Sequence, residues 1–387
     1  MNTLGSKERE FLLNLSLKDE LPKNNEGLNT SLITDFIIDS RIEYHLLTIG
    51  DEKLLKKILG DDLFKKIKLE NFKKAIPTLK NIDMSIKIAK KLNNSGIKYT
   101  FLKGINCQNI GDRFIRPSRD IDLLIDKDDI PKSVTIFKKL GFRFINHEFF
   151  SKDMITPFNG KYDLPVMKTT DGINLEIHYK IIRDQQSTSC SFSKLLLEKN
   201  TQLLIGNHKL PTLSNEYLII HLIYHGTKKG SFDVGLSTFI DIRRIQKRGP
   251  VNWDEVRSLS KKFGFEYYSK LIEATLDENQ NNEISNEDIE DFKYLFTLPI
   301  LNSKFFEIDQ KKSFLSKLSE IHSTIFVKKE VVLRDFEVKD RIFLFLFYLR
   351  RWFRQSGLLL RQIVQLIANK TEIKKKFELI KKFSARN

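Results

Sequence analysis

The spacing of hydrophobic residues changes twice along this chain of 387 residues. Over residues 28–95, apolar side chains recur every three or four positions, as on one face of a helix. Between 96 and 210 they alternate with polar residues or form short continuous runs, which is typical of strands. After 211 the helical spacing returns. The pattern therefore predicts an α+β protein whose sheet lies between two helical regions.

Turn and cap residues divide these regions into elements. Helices are predicted over 32–38, 82–92, about 105–111, 216–224 and 241–247, with one opened by 126–131 that runs to about 140 and one more capped by 251–254. Strands are predicted over 97–102, 116–125, 142–145 and 173–181, and a polar linker over 277–283. The domain division that we expect is a flexible or short helical arm (1–27), an N-terminal helical region (28–95), a core (96–210) and a C-terminal helical region with a basic tail (211–387).

Positive charge is concentrated at the end of the chain. The net charge is +16, and residues 339–387 carry 13 Lys and Arg against 3 Asp and Glu, which gives +10 of that total. Such a region attracts nucleic acid, an anionic membrane surface or an acidic partner. The alternative is that lysine-rich helix faces are simply solvated, and the charge pattern leaves both interpretations open.

Nothing in the composition favours a secreted or membrane protein. Cys107 and Cys190 are too few for a disulfide framework. The first residues lack the apolar stretch of a signal peptide, and the longest apolar run, 342–349, is too short to span a bilayer. We therefore expect a cytoplasmic protein without a transmembrane segment.

Two acidic residues interrupt an otherwise apolar strand. Asp120 and Asp122 alternate with Ile121 and Leu123, so both carboxylates lie on one face of the strand. Neighbouring carboxylates repel each other and resist burial unless a cation compensates them. Oxygen ligands favour Mg²⁺ or Mn²⁺, so the pattern predicts a metal site for phosphate chemistry. The alternative is an acidic edge strand that resists aggregation.

Two further segments have the residue types that such a site needs. Lys103 and Gly104 follow a predicted strand, where a glycine lets the backbone approach a phosphate and helix amides favour an anion. On the strand over 173–181, Glu176 and His178 share one face. Glu176 would complete a carboxylate triad with the two aspartates, although a surface position on an amphipathic strand is the alternative for it.

The order of these segments resembles a known superfamily. FLKG at 101–104, RPSRDIDLL at 116–124 and LEIH at 175–178 are similar to the LKG, RPxxDIDLL and EIH motifs of a bacterial nucleotidyltransferase family with the DNA polymerase β-like core. The resemblance covers about residues 75–265. A related pattern, KGG followed by RxSxDIDL, occurs in nucleotidyltransferase toxins and abortive-infection proteins.

The resemblance implies a function for each segment. Asp120, Asp122 and Glu176 would be catalytic and would hold Mg²⁺ or Mn²⁺ while an NTP donates its NMP to a hydroxyl of RNA, protein or a small molecule, with release of pyrophosphate. The implied substrate-binding residues are Lys103, Gly104, Arg116, Arg119 and His178. The basic tail favours RNA as the acceptor. Neither the preferred nucleotide nor the oligomeric state follows from the sequence.

One departure from the family keeps a second function open. Many members have Gly-Ser or Gly-Gly in the phosphate loop, whereas this chain has Gly104-Ile105. A catalytically inactive nucleotide-binding or adaptor module on the same fold is therefore the alternative, and a helical interaction scaffold is a third. Arg116 and Arg119 could instead pair with nearby acids. His221 and His225 are four apart on a helix, a spacing that a metal pair can have, but no third ligand is evident nearby and packing or substrate contact is expected for them. For Asp241 we expect a cap or a salt bridge, with a site role as the alternative.

Overall fold

The computed structural model describes residues 4–23, 25–108, 113–144, 164–181, 186–229, 232, 235–277, 283–298 and 370–386. These residues belong to two compact units. Leu4–Thr297 forms one unit together with the end of the last helix, and Leu298–Glu378 belongs to the other. All of the candidate site lies in the first unit. The domain division at 27, 95 and 210 stays a prediction.

Helices precede and follow the sheet in the described part of the chain. Before the sheet come α1 Ser6–Leu13, which runs into a π-helical turn at Asn14–Lys18, then α2 Thr30–Asp39, α3 Glu43–Ile49, α4 Glu52–Leu59 and α5 Asp61–Asn94. Among the strands lie α6 Lys103–Asn106, α7 Ile130–Lys139 and α8 Gln186–Glu198. After them come α9 Asn215–Tyr224, which runs into a π-helical turn at His225–Lys229, then α10 Ser237–Arg248, α11 Trp253–Lys262, α12 Glu266–Leu276, α13 Asn286–Phe296 and α14 Lys370–Ala385.

The described strands form one mixed sheet. They are β1 Tyr99–Phe101, β2 Asp120–Ile125, β3 Arg143–Phe144, β4 Met167–Lys168, β5 Asn174–His178, β6 Asn200–Ile205 and β7 His208–Leu213. Their order across the sheet is β3-β4-β5-β2-β1-β7-β6. β2 pairs with β5 in parallel and with β1 antiparallel, so β2 is a central strand. The predicted α+β class with a mixed sheet is confirmed.

Alternation along β2 separates the core from the candidate site. Ile121, Leu123 and Ile125 pack into the main hydrophobic core with apolar residues of α5 and α7, among them Ile88 and Phe137. Burial of such side chains stabilises the fold by about 1.5 to 3 kcal/mol each. Because side chains alternate, the other face of β2 carries the two aspartates.

Several predicted boundaries differ from the structure. The strand predicted over 116–125 begins at Asp120, because Pro117 has no N–H to pair and the backbone of Ser118 is bonded to side chains of α5. The helix predicted over 105–111 is α6, which is four residues long and begins at Lys103; positions 109–112 lie outside the described residues. The predicted linker over 277–283 lies mostly outside them too.

The hairpin formed by β6 and β7 was not predicted at all. Its strands pair antiparallel from Asn200–Leu213 to Ile205–His208, around a two-residue turn at Gly206 and Asn207. Gly206 has a φ of +57°, which such a tight turn requires. Among the described helices, none combines the length and apolar character that crossing a bilayer requires.

Candidate active site

The candidate site is built around Asp122, at the middle of two parallel strands. In the register of β2 and β5, Asp122 stands opposite Glu176, and the next position on that face of β5 is His178. Nε2 of His178 lies 3.1 Å from Oδ1 of Asp122 and 3.9 Å from Oε2 of Glu176. One ligand atom from each of the three residues lies within 4.8 Å of the others. The structure therefore brings Asp122, Glu176 and His178 together, whereas Asp120, the third member of the predicted carboxylate triad, does not belong to this group.

The Asp122 carboxylate is suited to bind a cation. Burial alone would raise its pKa, but Lys103 and His178 outweigh burial and hold the pKa well below its ordinary value. The carboxylate is therefore ionised at neutral pH. Its Oδ2 atom is buried and has no hydrogen-bond partner in the described residues. A buried charged oxygen without a partner is costly, so a divalent cation with oxygen ligands fits this position.

Asp120 lies two residues before Asp122 on the same face and is only partly buried. Burial, followed by the negative charge of Asp122, raises the pKa of Asp120 to about 6. Glu176 acts in the same direction. The three carboxylates are thus close enough to repel one another, and a cation among them would relieve that repulsion.

This repulsion predicts an unusual effect of Asp120→Asn on stability. Folding raises the pKa of Asp120 from 3.8 to about 6, so the protonated carboxyl group favours the folded chain. This contribution to the free energy of unfolding is complete below pH about 4 and is lost as the pH rises through 6. Removing the charge should therefore stabilise the metal-free protein at pH 7.5, by up to about 3 kcal/mol. The gain should shrink to about half at pH 5.

Thermal unfolding in a chelator, at both pH values, measures this effect. Asp254→Asn is the matched control, because the Asp254 side chain is 90% exposed and its ion pair with Arg257 lies at the surface. An Asp120→Asn variant that melts lower than the parent at pH 7.5, or a gain that grows as pH falls, would contradict the assignment of Asp120 to a repelling carboxylate cluster.

Lys103 supplies the positive charge nearest to Asp122. Its Nζ lies 3.3 Å from Oδ1 of Asp122 and 3.2 Å from Nε2 of His225. Burial would lower its pKa, but the charges of Asp122, Asp120 and Glu176 raise it, so Lys103 is an ammonium. His225, in the turn after α9, was not among the predicted site residues. Its spacing of four from His221 suggested a metal pair, but neither histidine belongs to a metal-type cluster within the described residues.

Gly104 makes room for a serine hydroxyl. A Cβ at Gly104 would lie 2.9 Å from Oγ of Ser118, which is closer than side chains tolerate. Ser118 Oγ donates a hydrogen bond to the carbonyl of Asp120 at 2.8 Å. A hydroxyl from the segment before β2 therefore lies beside Gly104, although the residue after this glycine is Ile105. Sequence reasoning missed Ser118, although it stands in the RPSRDIDLL motif.

Helix α5 fixes the position of that serine. The N–H of Ser118 donates to Thr78 Oγ1 at 3.0 Å, and its carbonyl accepts from Nδ2 of Asn81 at 3.2 Å. Thr78 and Asn81 are both buried. The N-terminal helical region therefore holds the segment that leads into Asp120.

Gly104→Ala should destabilise the protein because Gly104 packs closely against Ser118. The new methyl group would force Ser118 Oγ away from the Asp120 carbonyl, so we expect a loss of about 1 to 2 kcal/mol in the free energy of unfolding. Removing the opposing hydroxyl with Ser118→Ala should restore most of that loss in the double variant. Chemical denaturation of both single variants and the double variant measures the coupling. Strictly additive effects would mean that Ser118 does not limit the space at Gly104.

The remaining two predicted substrate-binding residues lie in different surroundings. Arg116 forms a bidentate pair with Asp241 of α10, with both N–O distances at 2.6 Å. Burial would lower the pKa of Arg116, but Asp241 raises it above its ordinary range. Arg119 is exposed. Burial, followed by the charge of Arg119, lowers the pKa of Arg41 to about 10, so Arg41 is a cation near this segment that sequence reasoning did not identify.

The sequence of this region matches a defined family. Residues 27–271, more than half of the chain, match the family described as uncharacterised nucleotidyltransferases. The chain belongs to this family. The match includes every residue of the candidate site, from Lys103 to Asp241, and it makes the mixed-sheet core a nucleotidyltransferase core with an NTP as the implied substrate. Whether the finer LKG and RPxxDIDLL motif type applies stays a prediction.

Comparison with other proteins gives more distant similarities. No curated protein matches the chain in sequence. Among solved structures, a lincomycin-bound lincosamide antibiotic adenylyltransferase is similar over 42% of this chain and 94% of its own, at 15% identity and a TM-score of 0.29. An antigenic nucleotidyltransferase-like protein from Paracoccidioides brasiliensis is similar over 51% of this chain and 87% of its own, at 15% identity and a TM-score of 0.35.

Proposed function

We propose that this family member transfers an NMP from an NTP to a hydroxyl acceptor and releases pyrophosphate. The observation that carries the proposal is the carboxylate cluster on β2 and β5, with the buried, unpartnered Oδ2 of Asp122 at its centre. Asp120, Asp122 and Glu176 would hold Mg²⁺ or Mn²⁺, and His178 would orient the Asp122 carboxylate from 3.1 Å. When bound, such a cation supplies charge stabilisation for the attacking and leaving oxygens.

The residues of the chain account for the rest of the reaction. The acceptor oxygen forms a bond to the α-phosphorus of the NTP, and the bond from that phosphorus to the bridging oxygen breaks, so pyrophosphate leaves. The hydroxyl proton passes to the Glu176 carboxylate. Lys103 is positioned beside Asp122 to neutralise the phosphate charge that develops.

The proposal is tested by incubating the protein with each α-labelled NTP and a panel of RNA, protein and small-molecule acceptors. We expect label transfer and pyrophosphate release that require Mg²⁺ or Mn²⁺ and are lost in Glu176→Gln. Asp83→Asn is the matched control, since the Asp83 side chain is 63% exposed on α5. Absence of transfer with every nucleotide, or transfer that persists in chelator, would overturn the proposal.

RNA is the acceptor class that the charge distribution favours. The last 49 residues carry +10 of the net +16. Because binding through Lys and Arg releases counterions, the affinity for RNA should fall steeply and linearly on a logarithmic salt scale. Salt-insensitive binding, or transfer to protein or a small molecule but not to RNA, would reject RNA as the acceptor and leave nucleotidyl transfer itself intact.

The second candidate is a catalytically inactive nucleotide-binding or adaptor module. Two observations favour it: Ile105 replaces the usual small residue after Gly104, and the Lys103 ammonium already compensates Asp122. Calorimetry with an NTP and Mg²⁺ separates the two functions. Tight nucleotide binding without turnover on the whole acceptor panel would favour the adaptor over the enzyme.

A further inference from the structure

Helix α5 carries an apolar stripe on its solvent face. Five large hydrophobic side chains are strongly exposed in the described part of the chain, and four of them lie on this one helix. They are Leu69 (53% exposed), Phe72 (63%), Ile76 (46%) and Leu79 (51%). Steps of three, four and three residues place all four along one narrow line of the helix. We call these four residues the α5 stripe.

The α5 stripe does not contribute to the packing of α5 against the rest of the protein. α5 packs into the protein through a different set of positions, which include Ile67, Thr78, Asn81 and Ile88. Apolar residues spaced alternately three and four apart occupy the a and d positions of a heptad repeat. They form the seam of a coiled coil, which accommodates a single partner helix. A membrane-binding helix presents a broader apolar face than this line. The geometry of the stripe therefore suits one helix as its partner.

The charges beside the stripe define the chemistry of that helix. Lysines flank it at Lys68, Lys73 and Lys80, and Lys65 continues its line at the N-terminal end. Lys73 is paired with Glu70 of the same helix at 2.6 Å and Lys68 lies 3.7 Å from Glu52, while Lys65 and Lys80 make no ion pair within the described ranges. Two copies of this surface would oppose lysine to lysine. The basic tail of the chain carries the same sign of charge and is equally unsuited.

We propose that the α5 stripe is the docking surface for an acidic amphipathic helix of a partner protein. Apolar side chains of that helix at a and d positions would pack on Leu69, Phe72, Ile76 and Leu79. Carboxylates at its e and g positions would face Lys68, Lys73 and Lys80. The opposite side of α5 holds Ser118 through Thr78 and Asn81, so the partner would lie against the helix that positions the segment before Asp120.

A labelled peptide of three heptads, with leucine at a and d and glutamate at e and g, tests the surface on the full chain. The glutamates also prevent the peptide from pairing with itself. Fluorescence anisotropy should show saturable binding that weakens at least tenfold in Phe72→Glu and weakens with added salt. Leu204→Glu is the matched control, because Leu204 is 52% exposed on β6 and does not belong to the α5 stripe, so this variant should bind as the parent does.

Every other outcome of the same set of measurements overturns the proposal. No binding of the acidic peptide would do so, as would equal binding of a peptide with lysine at e and g, or equal effects of Phe72→Glu and Leu204→Glu. Self-association of the parent that Phe72→Glu abolishes would assign the stripe to a second copy. Partitioning onto anionic phosphatidylserine vesicles that Phe72→Glu abolishes would assign it to a membrane. Unchanged melting temperatures confirm that both variants fold.

Discussion

Asp122→Asn should reduce nucleotidyl transfer by at least about a thousandfold, which corresponds to about 4 kcal/mol of transition-state stabilisation. Asparagine keeps the shape of the side chain but removes the charge that Lys103 and His178 share through Oδ1. It also replaces the unpartnered Oδ2, so a divalent cation loses its most buried anionic ligand. The effect should be on turnover in the presence of saturating NTP, measured as pyrophosphate release.

The loss of activity must be separated from a loss of fold. Asp122 is 3% exposed, and its substitution leaves the Lys103 ammonium with less compensation, so a lower melting temperature is also expected. Activity is therefore compared well below the melting temperature of the variant, with circular dichroism as the check on folding. A folded Asp122→Asn protein within tenfold of the parent activity would remove Asp122 from the catalytic proposal.

Asp241→Asn should destabilise the protein by about 3 to 5 kcal/mol. Asp241 is 2% exposed and accepts hydrogen bonds from Nε and Nη2 of the Arg116 guanidinium. Without the carboxylate, a buried guanidinium loses the charge that compensates its desolvation. Arg116 also connects the segment before β2 to α10, so the variant should lose activity at temperatures where the parent is fully folded. Urea denaturation measures the change in the free energy of unfolding.

Two further variants test whether the ion pair of Arg116 and Asp241 stabilises the fold. Asp254→Ala removes an exposed partner of Arg257 and should change stability by less than about 1 kcal/mol. The double variant Arg116→Met with Asp241→Leu replaces both charges by apolar groups and should recover most of the stability that Asp241→Asn loses. A loss below about 1 kcal/mol in Asp241→Asn would mean that water solvates Arg116 and that the pair is not structural.

The sequence predicted which of these side chains share one face of a strand, because the period of a strand is two. Once 120–125 and 174–178 are strands, alternation alone places Asp120 with Asp122 and Glu176 with His178. The apolar flanks of Asp120 and Asp122 made a central position for β2 a sound expectation. Alternation does not determine which strands are neighbours in the sheet. For the pairing of these two strands, the prediction depended on the family resemblance.

Residues far apart along the chain were beyond the reach of that argument. His225 reaches Lys103 and Asp241 reaches Arg116 only because α9 and α10 pack beside the sheet, more than a hundred residues later. Arg41 likewise lies in the turn after α2. No local pattern marks such tertiary contacts, so the sequence left open whether Arg116 binds substrate or pairs with an acid, and only the structure identifies Asp241 as its partner.

The sequence analysis also missed Ser118 and the hairpin of β6 and β7. Ser118 belongs to the quoted RPSRDIDLL motif, but its contact with Gly104 depends on α5, which fixes its backbone through Thr78 and Asn81. The hairpin of β6 and β7 did carry a signal, since Gly206 and Asn207 lie between alternating segments. A search for two-residue turns would have found it.

The most direct test of the central claim is a Mn²⁺ titration followed by electron paramagnetic resonance, with Asp120→Asn, Asp122→Asn and Glu176→Gln beside the parent. A carboxylate cluster that holds a divalent cation predicts saturable Mn²⁺ binding in the parent that each substitution weakens, with Asp122→Asn the most severe, and that Asp83→Asn leaves unchanged. Mn²⁺ binding of equal strength in the parent and in folded Asp122→Asn would contradict the account.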